Sequence, residues 1–207
     1  MKKLLILLFS IFFLTSPSVF ADDISDFTIE GISIGDSLLD YMTEDEILEE
    51  IEINKNMYLH FKDPNKYAEV YLWEDLHSYD RISFFIKNNS TNQYVGNKNE
   101  KYTILSIFGS IFYIENFDSC LQKRNEIAEV LTKMFPNMQD RKYNKPHSAD
   151  PSGNSIVDGF YFNFDSGDYA GVYCSNFDET YRVKNEQTEG LNVTIQSKEI
   201  NNWMLGL

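Results

Sequence analysis

The residues whose types and spacing could do chemistry are two serines near the start, three histidines, two cysteines and one oxygen-rich loop. Gly31-Ile32-Ser33-Ile34-Gly35 has the Gly-x-Ser-x-Gly spacing of a nucleophile elbow. In an elbow a strained strand-to-helix turn exposes a serine hydroxyl for acyl transfer, with an acid and a histidine downstream. Ser33 lies too near the start for a sheet to precede it, so the pattern reads as chance. His60, His77 and His147 show neither His-x-x-x-His nor His-Glu-x-x-His spacing for zinc, and each reads as a surface or half-buried side chain. Asp150-Pro151-Ser152-Gly153-Asn154 places side-chain oxygens at alternate positions, as a calcium loop does. A twelve-residue loop begun at Asp150 would put Ser155 at the glycine position and Tyr161 at the closing glutamate. A polar turn is therefore the first reading, with a cation site at Asp150, Ser152 and Asn154 as the alternative.

Gly35-Asp36-Ser37-Leu38 resembles the block that names the GDSL esterase and lipase family. The resemblance implies Ser37 as the nucleophile, behind the strand-like Phe27 to Ile34. It also implies a Gly and an Asn at the oxyanion and an Asp-x-x-His near the end. The chain departs from that pattern. It has no Asp-x-x-His, Gly190-Leu191-Asn192 is followed by Val193 where the family has Asp, and only one long helix is evident where the family has several. A serine hydroxyl without a base is a weak nucleophile. The residues themselves read as a turn at Gly35 and an Asp36 cap on a short helix carrying Leu38, Leu39 and Tyr41. A Ser37 esterase is the alternative.

The positioning elements follow from periodicity. Thr43-Glu44-Asp45-Glu46 is a capping box, and Ile47, Leu48 and Ile51 form one face of the helix behind it. Its six acids in the nine residues Glu44 to Glu52 read as a solvated face. A longer helix runs from about Phe117 to Phe135 on a stripe of Cys120, Leu121, Ile127, Ala128, Leu131, Met134 and Phe135, and Pro136 stops it. Strands are expected over 68–73, 81–86, 102–114, 156–164, 169–174 and 191–196, with Gly109 as a bulge or close approach. Asp165-Ser166-Gly167-Asp168 is a hairpin turn. Phe160, Phe162 and Phe164 alternate as a sheet face packed on a helix does. Polar stretches 87–101 and 137–155 read as loops. The expected fold is α+β, a mainly antiparallel sheet packed against one long helix (about 117–135), plus short N-terminal helices.

Lys2 and Lys3, the apolar run Leu4 to Leu14 and Val19-Phe20-Ala21 make a secretory signal over 1–21, leaving one domain over 22–207. The apolar run is too short to span a bilayer, and no other is long enough. Removing Lys2 and Lys3 leaves 16 of the 18 basic residues against 32 acids, a balance of −16. Such a field repels phosphate backbones and anionic lipid, so no nucleic-acid partner is expected. Without a Walker loop or dinucleotide glycine pattern no cofactor is expected either. In an exported chain Cys120 and Cys174 are most simply one disulfide.

The segment Glu30-Gly31-Ile32-Ser33-Ile34-Gly35-Asp36-Ser37-Leu38, with Asp118-Ser119-Cys120-Leu121, the loop Ser152 to Ser155 and Cys174, resembles a group of small exported proteins from AT-rich marine Gram-negative bacteria. That resemblance implies secretion and the paired cysteines, and it carries no catalytic residue. The reading is a periplasmic or secreted binding or envelope-support domain with a protein or small-molecule partner, and without an enzyme's full set of groups.

Overall fold

Alternation of apolar and polar side chains along the chain builds a single seven-stranded sheet. In the computed structural model, which describes residues 24, 27–59, 63, 65–88, 101–136 and 140–206, every strand pair is antiparallel. The strands are β1 (Tyr67–Leu72), β2 (Arg81–Lys87), β3 (Ile104–Phe112), β4 (Asp140–Pro146), β5 (Ile156–Asn163), β6 (Tyr169–Asn176) and β7 (Gly190–Gln196). Their spatial order is β1-β2-β3-β7-β6-β5-β4. A three-stranded meander thus hands over to a helix, and a four-stranded meander returns from the far edge to set β7 against β3. The expected leader over 1–21, His60 and residues 89–100 lie outside the described residues.

Four α-helices accompany the sheet: α1 (Glu44–Asn54), α2 (Phe117–Met134), α3 (Glu179–Lys184) and α4 (Lys198–Met204), with a 3-10 turn over Leu38–Asp40. The capping box before α1 forms as its sequence predicts. Glu46 N–H donates to the Thr43 hydroxyl, and Thr43 N–H donates to the Glu46 carboxylate at 2.8 Å. Ile47 is buried, but Leu48 is exposed, because Asn54 rather than Leu48 turns inward. Its side-chain amide donates to the Glu69 carbonyl at 3.3 Å and fixes α1 to β1.

Helix cover is divided. On one face α2 lies over β5, β6 and β7, while α1 lies over β1, in place of the single covering helix that the periodicity predicts. Val70, Ile82, Phe84, Ile107, Val172 and Val193 form this face, with Ile47, Leu131 and Phe135 packed on it. On the opposite face α4 and Tyr58 pack together, and Ile200 and Trp203 of α4 close on Tyr67, Phe85 and Leu105. Leu105 reaches that side because the β2–β3 register shifts between Phe85 and Ile86, where a bulge supplies an extra residue.

Some expectations change. Phe27 to Ile34 is a tight turn rather than a strand: Ile29 and Ile32 bridge each other around Glu30 and Gly31, both at positive φ. The expected loop 137–155 contains β4. Its polar sequence, with charges and a terminal Pro146, suits an unpaired sheet edge and hides it from a search for alternation. Gly109 is a close-approach point, since a Cβ there would sit 2.5 Å from the Tyr79 ring. Phe162 and Phe164 are buried on the α2 side as expected.

Two cross-links join α2 to the second meander. Cys120, in the first turn of α2, is disulfide-bonded to Cys174 in β6, with Cα atoms 6.0 Å apart. One turn further on, Arg124 points inward at 2% exposure and pairs with Asp158 of β5. The Asn144 amide donates to the same carboxylate at 2.7 Å, and the Phe160 ring lies 5.2 Å from the guanidinium.

Candidate functional site

The residues singled out by sequence spacing are scattered by the fold. Ser37 is 3% exposed, pairs with Thr103, and its hydroxyl donates to the Lys101 carbonyl at 2.9 Å. It lies at the Ile104 end of β3, whereas Asn192 faces Ser110, six residues along and so about 20 Å away at roughly 3.3 Å per residue. The serine and the asparagine that the esterase resemblance would use together are therefore apart. Gly35 makes its turn at positive φ, but Asp36 does not cap the 3-10 helix. Its carboxylate accepts instead from Ser33 N–H and the Tyr41 hydroxyl, locking the turn. His77 meets Glu30, and the His147 ring lies tilted against Phe177 with centres 4.5 Å apart.

Asp150 is the hub of its loop. Its carboxylate accepts from the backbone and hydroxyl of both Ser152 and Ser155, donors that hold its pKa down at about 2. Asn154 N–H donates to the Ser152 hydroxyl, so the Asp150 carboxylate and the Ser152 hydroxyl, two of the three groups expected to bind a cation, are engaged within the loop. Among the described residues no group of three or more His, Cys, Asp or Glu is placed to hold a metal ion.

A different set of side chains converges on the face opposite α2. Strand alternation puts Glu69, Arg81, Ser83, Phe108, Ser110, Tyr173 and Asn192 on this face, and α4 and Tyr58 wall one side. The resulting cleft encloses about 350 Å³. Glu69 stands in it at 7% exposure. The Tyr58 hydroxyl donates to its carboxylate, and the Tyr71 and Ser83 hydroxyls bear on the same group. Burial pushes the Glu69 carboxyl above its ordinary value; the hydroxyls and the Arg81 charge pull against that without overcoming it.

Arg81 is the cation of the cleft. Its guanidinium lies 5.4 Å from the ring centres of Tyr71 and Trp73 and 5.8 Å from that of Phe112. Nη2 approaches the Ser110 hydroxyl at 3.4 Å, and that hydroxyl donates to Asn192 Oδ1 at 2.9 Å. Arg81 Nε is buried and meets no acceptor among the described residues, and no carboxylate there forms an ion pair with Arg81. Beyond the cleft the face stays aromatic. Tyr143 and Tyr169 lie across Gly159 and Gly171, where any Cβ would collide with a neighbour at 2.5 Å. Tyr161 links the two, with ring centres 5.7 Å from Tyr143 and 6.3 Å from Tyr169.

Two other hollows are chemically poorer. One of about 430 Å³ between α2 and β5 is lined by Thr132, Lys133 and Phe160, with no buried charge in its wall. Another of about 300 Å³, beside Glu30, Glu74 and Asp75, is acidic, and the Glu30 carboxylate already accepts from the His77 and Ser78 amides. Sequence reading missed Glu69 and Arg81. The available signal was the alternation Tyr67, Glu69, Tyr71 and Arg81, Ser83, Phe85, which puts charges and rings on one face, opposite an apolar one.

The raised Glu69 pKa makes a checkable statement. A carboxyl raised on folding contributes most below its unfolded value, near 4.5, and that contribution is lost as pH rises through the folded value. The groups facing it are Tyr58 after α1, Tyr71 on β1, and Arg81 and Ser83 on β2, with Glu50 of α1 acting on Tyr71. Glu69→Gln is therefore expected to gain melting temperature relative to the native protein as the pH rises from 4.5 through the folded value of Glu69, and to hold that gain above it. A gap that stays constant with pH, in parallel thermal melts, would contradict the assignment.

Among the described residues no helix is long and apolar enough to cross a membrane. The chain is an α+β protein with a seven-stranded antiparallel sheet, covered by α1 and α2 on one face and carrying α4 and the cleft on the other. Comparison with protein-family models, curated proteins and solved structures finds no match.

Proposed function

We propose that this is an exported, non-catalytic binding protein whose ligand site is the cleft between α4 and the β2–β3–β7 strands. The observation that carries the reading is Arg81, a partly buried cation without a carboxylate partner among the described residues, held by aromatic rings at the wall of that cleft. Desolvated charge is costly unless something pairs with it, so a cavity that keeps one in place is a site for a ligand group. The start of the chain and the disulfide support an extracytoplasmic setting, periplasmic or secreted. Ser37 supports structure rather than acyl transfer, since its proton is committed to a backbone carbonyl.

Phenol, a small neutral probe, tests the location without presuming ligand charge. Amide shift mapping is expected to move Ser83, Phe108, Ser110 and Asn192 together. Shifts confined to Ala128, Thr132 and Phe160, or none at all, would overturn the reading.

A further inference from the structure

The chemistry of the cleft also defines the class of ligand, an inference that rests on the cleft being the site. We infer that it takes an amphipathic organic carboxylate, anchored on Arg81 and Asn192 with its apolar body along Phe85, Phe108 and Met204. The polar side chains of the wall divide by what they have left to give. Glu69, the acceptor, is occupied by the Tyr58, Tyr71 and Ser83 hydroxyls. Ser110 spends its proton on Asn192 Oδ1, which leaves the Asn192 amide as that residue's donor end. The Tyr173 phenol, pushed up to about 12 by burial, stays protonated and able to donate. The groups left over are therefore donors: the Arg81 guanidinium, the Asn192 amide and the Tyr173 hydroxyl. They call for an acceptor, and a negative one.

The partner of Arg81 is specified further by its surroundings. In a chain with 32 acids and 18 bases, Arg81 has no carboxylate within ion-pair distance among the described residues, and Glu69, the nearby carboxyl that feels its charge, is engaged by hydroxyls. Tyr71 on β1, Trp73 just beyond it and Phe112 on β3 border the guanidinium at 5.4–5.8 Å, and the low-dielectric surface of these rings strengthens its attraction for an incoming anion. Guanidinium geometry matches a planar carboxylate in a two-point contact. The rest of the wall is apolar. Phe85 is buried, Phe108 packs edge-on against it with centres 6.3 Å apart, and Met204 closes the α4 side. A fully polar anion would leave that surface unused, and an apolar molecule would leave Arg81 unpaired.

The test compares 1-naphthoate with its neutral and cationic relatives, 1-naphthylmethanol and 1-naphthylmethylamine, by amide shift titration of the full mature chain. The expected result is binding of 1-naphthoate at least tenfold tighter than either relative, with shifts at Ser83, Ser110 and Asn192. Arg81→Gln should erase the preference, and Arg81→Lys should retain part of it, with amide spectra of both confirming the native fold. Equal binding of 1-naphthylmethanol in the cleft would overturn the carboxylate assignment and leave the cleft as the site. A preference surviving in Arg81→Gln would overturn Arg81 as the anchor. Absence of shifts in the cleft with all three compounds would overturn both readings.

Discussion

Asp158→Ala is expected to cost about 3–5 kcal/mol, the range found when one partner of a buried ion pair is removed. For a chain of this length that lowers the melting temperature by on the order of 10 °C. The size follows from the surroundings of Arg124, whose side chain is 3% exposed and whose Nε meets no acceptor among the described residues. Without Asp158 the guanidinium keeps only Asn125 Oδ1 and the Phe160 ring, and its charge stays under α2 with no counter-ion. Removing both charges together, as Arg124→Met with Asp158→Leu, is expected to recover most of the loss, because no buried charge is then left over. Urea denaturation of the three proteins checks this. A loss under about 1 kcal/mol for Asp158→Ala would place the pair among screened surface bridges.

Replacing Cys120 and Cys174 together by Ala is expected to cost about 4 kcal/mol, the chain-entropy value for the sequence separation of 54 that the bond closes. The bond has a specific mechanical role. It fastens the first turn of α2 to β6, so that the crossing helix is tied to the meander whose last strand, β7, lies against β3. Both cysteines are fully buried, so the double replacement also leaves small voids. Reduction of the native protein should reproduce most of the shift in the denaturation midpoint. A midpoint unchanged on reduction would contradict the account.

Elements with strong local signals were legible in the chain. The Thr43–Glu46 capping box, the Pro136 stop and the Asp165–Asp168 turn announce themselves through residues a few positions apart, and six of the seven strands through alternation along the chain. β4 did not, because a charged edge strand has no buried face to pattern. Arg124 did not, because a charge on an apolar stripe gives no sign in sequence that Asp158, 34 residues later, will meet it. The cleft is a similar case. Glu69, Arg81, Ser110 and Asn192 come from four strands, and only the register of β1, β2, β3 and β7 makes them neighbours. Short motifs such as that around Ser37 mark turns as readily as catalysis, and here the hydroxyl closes a contact to the Lys101 carbonyl.

The most direct test of the central claim is a crystal structure of the mature chain grown with saturating 1-naphthoate. The account expects the carboxylate within hydrogen-bond distance of Arg81 and Asn192, with the rings against Phe85 and Phe108 between β3 and α4. Density on the opposite face beside Asn125 and Phe160, with the cleft around Arg81 empty, would contradict it.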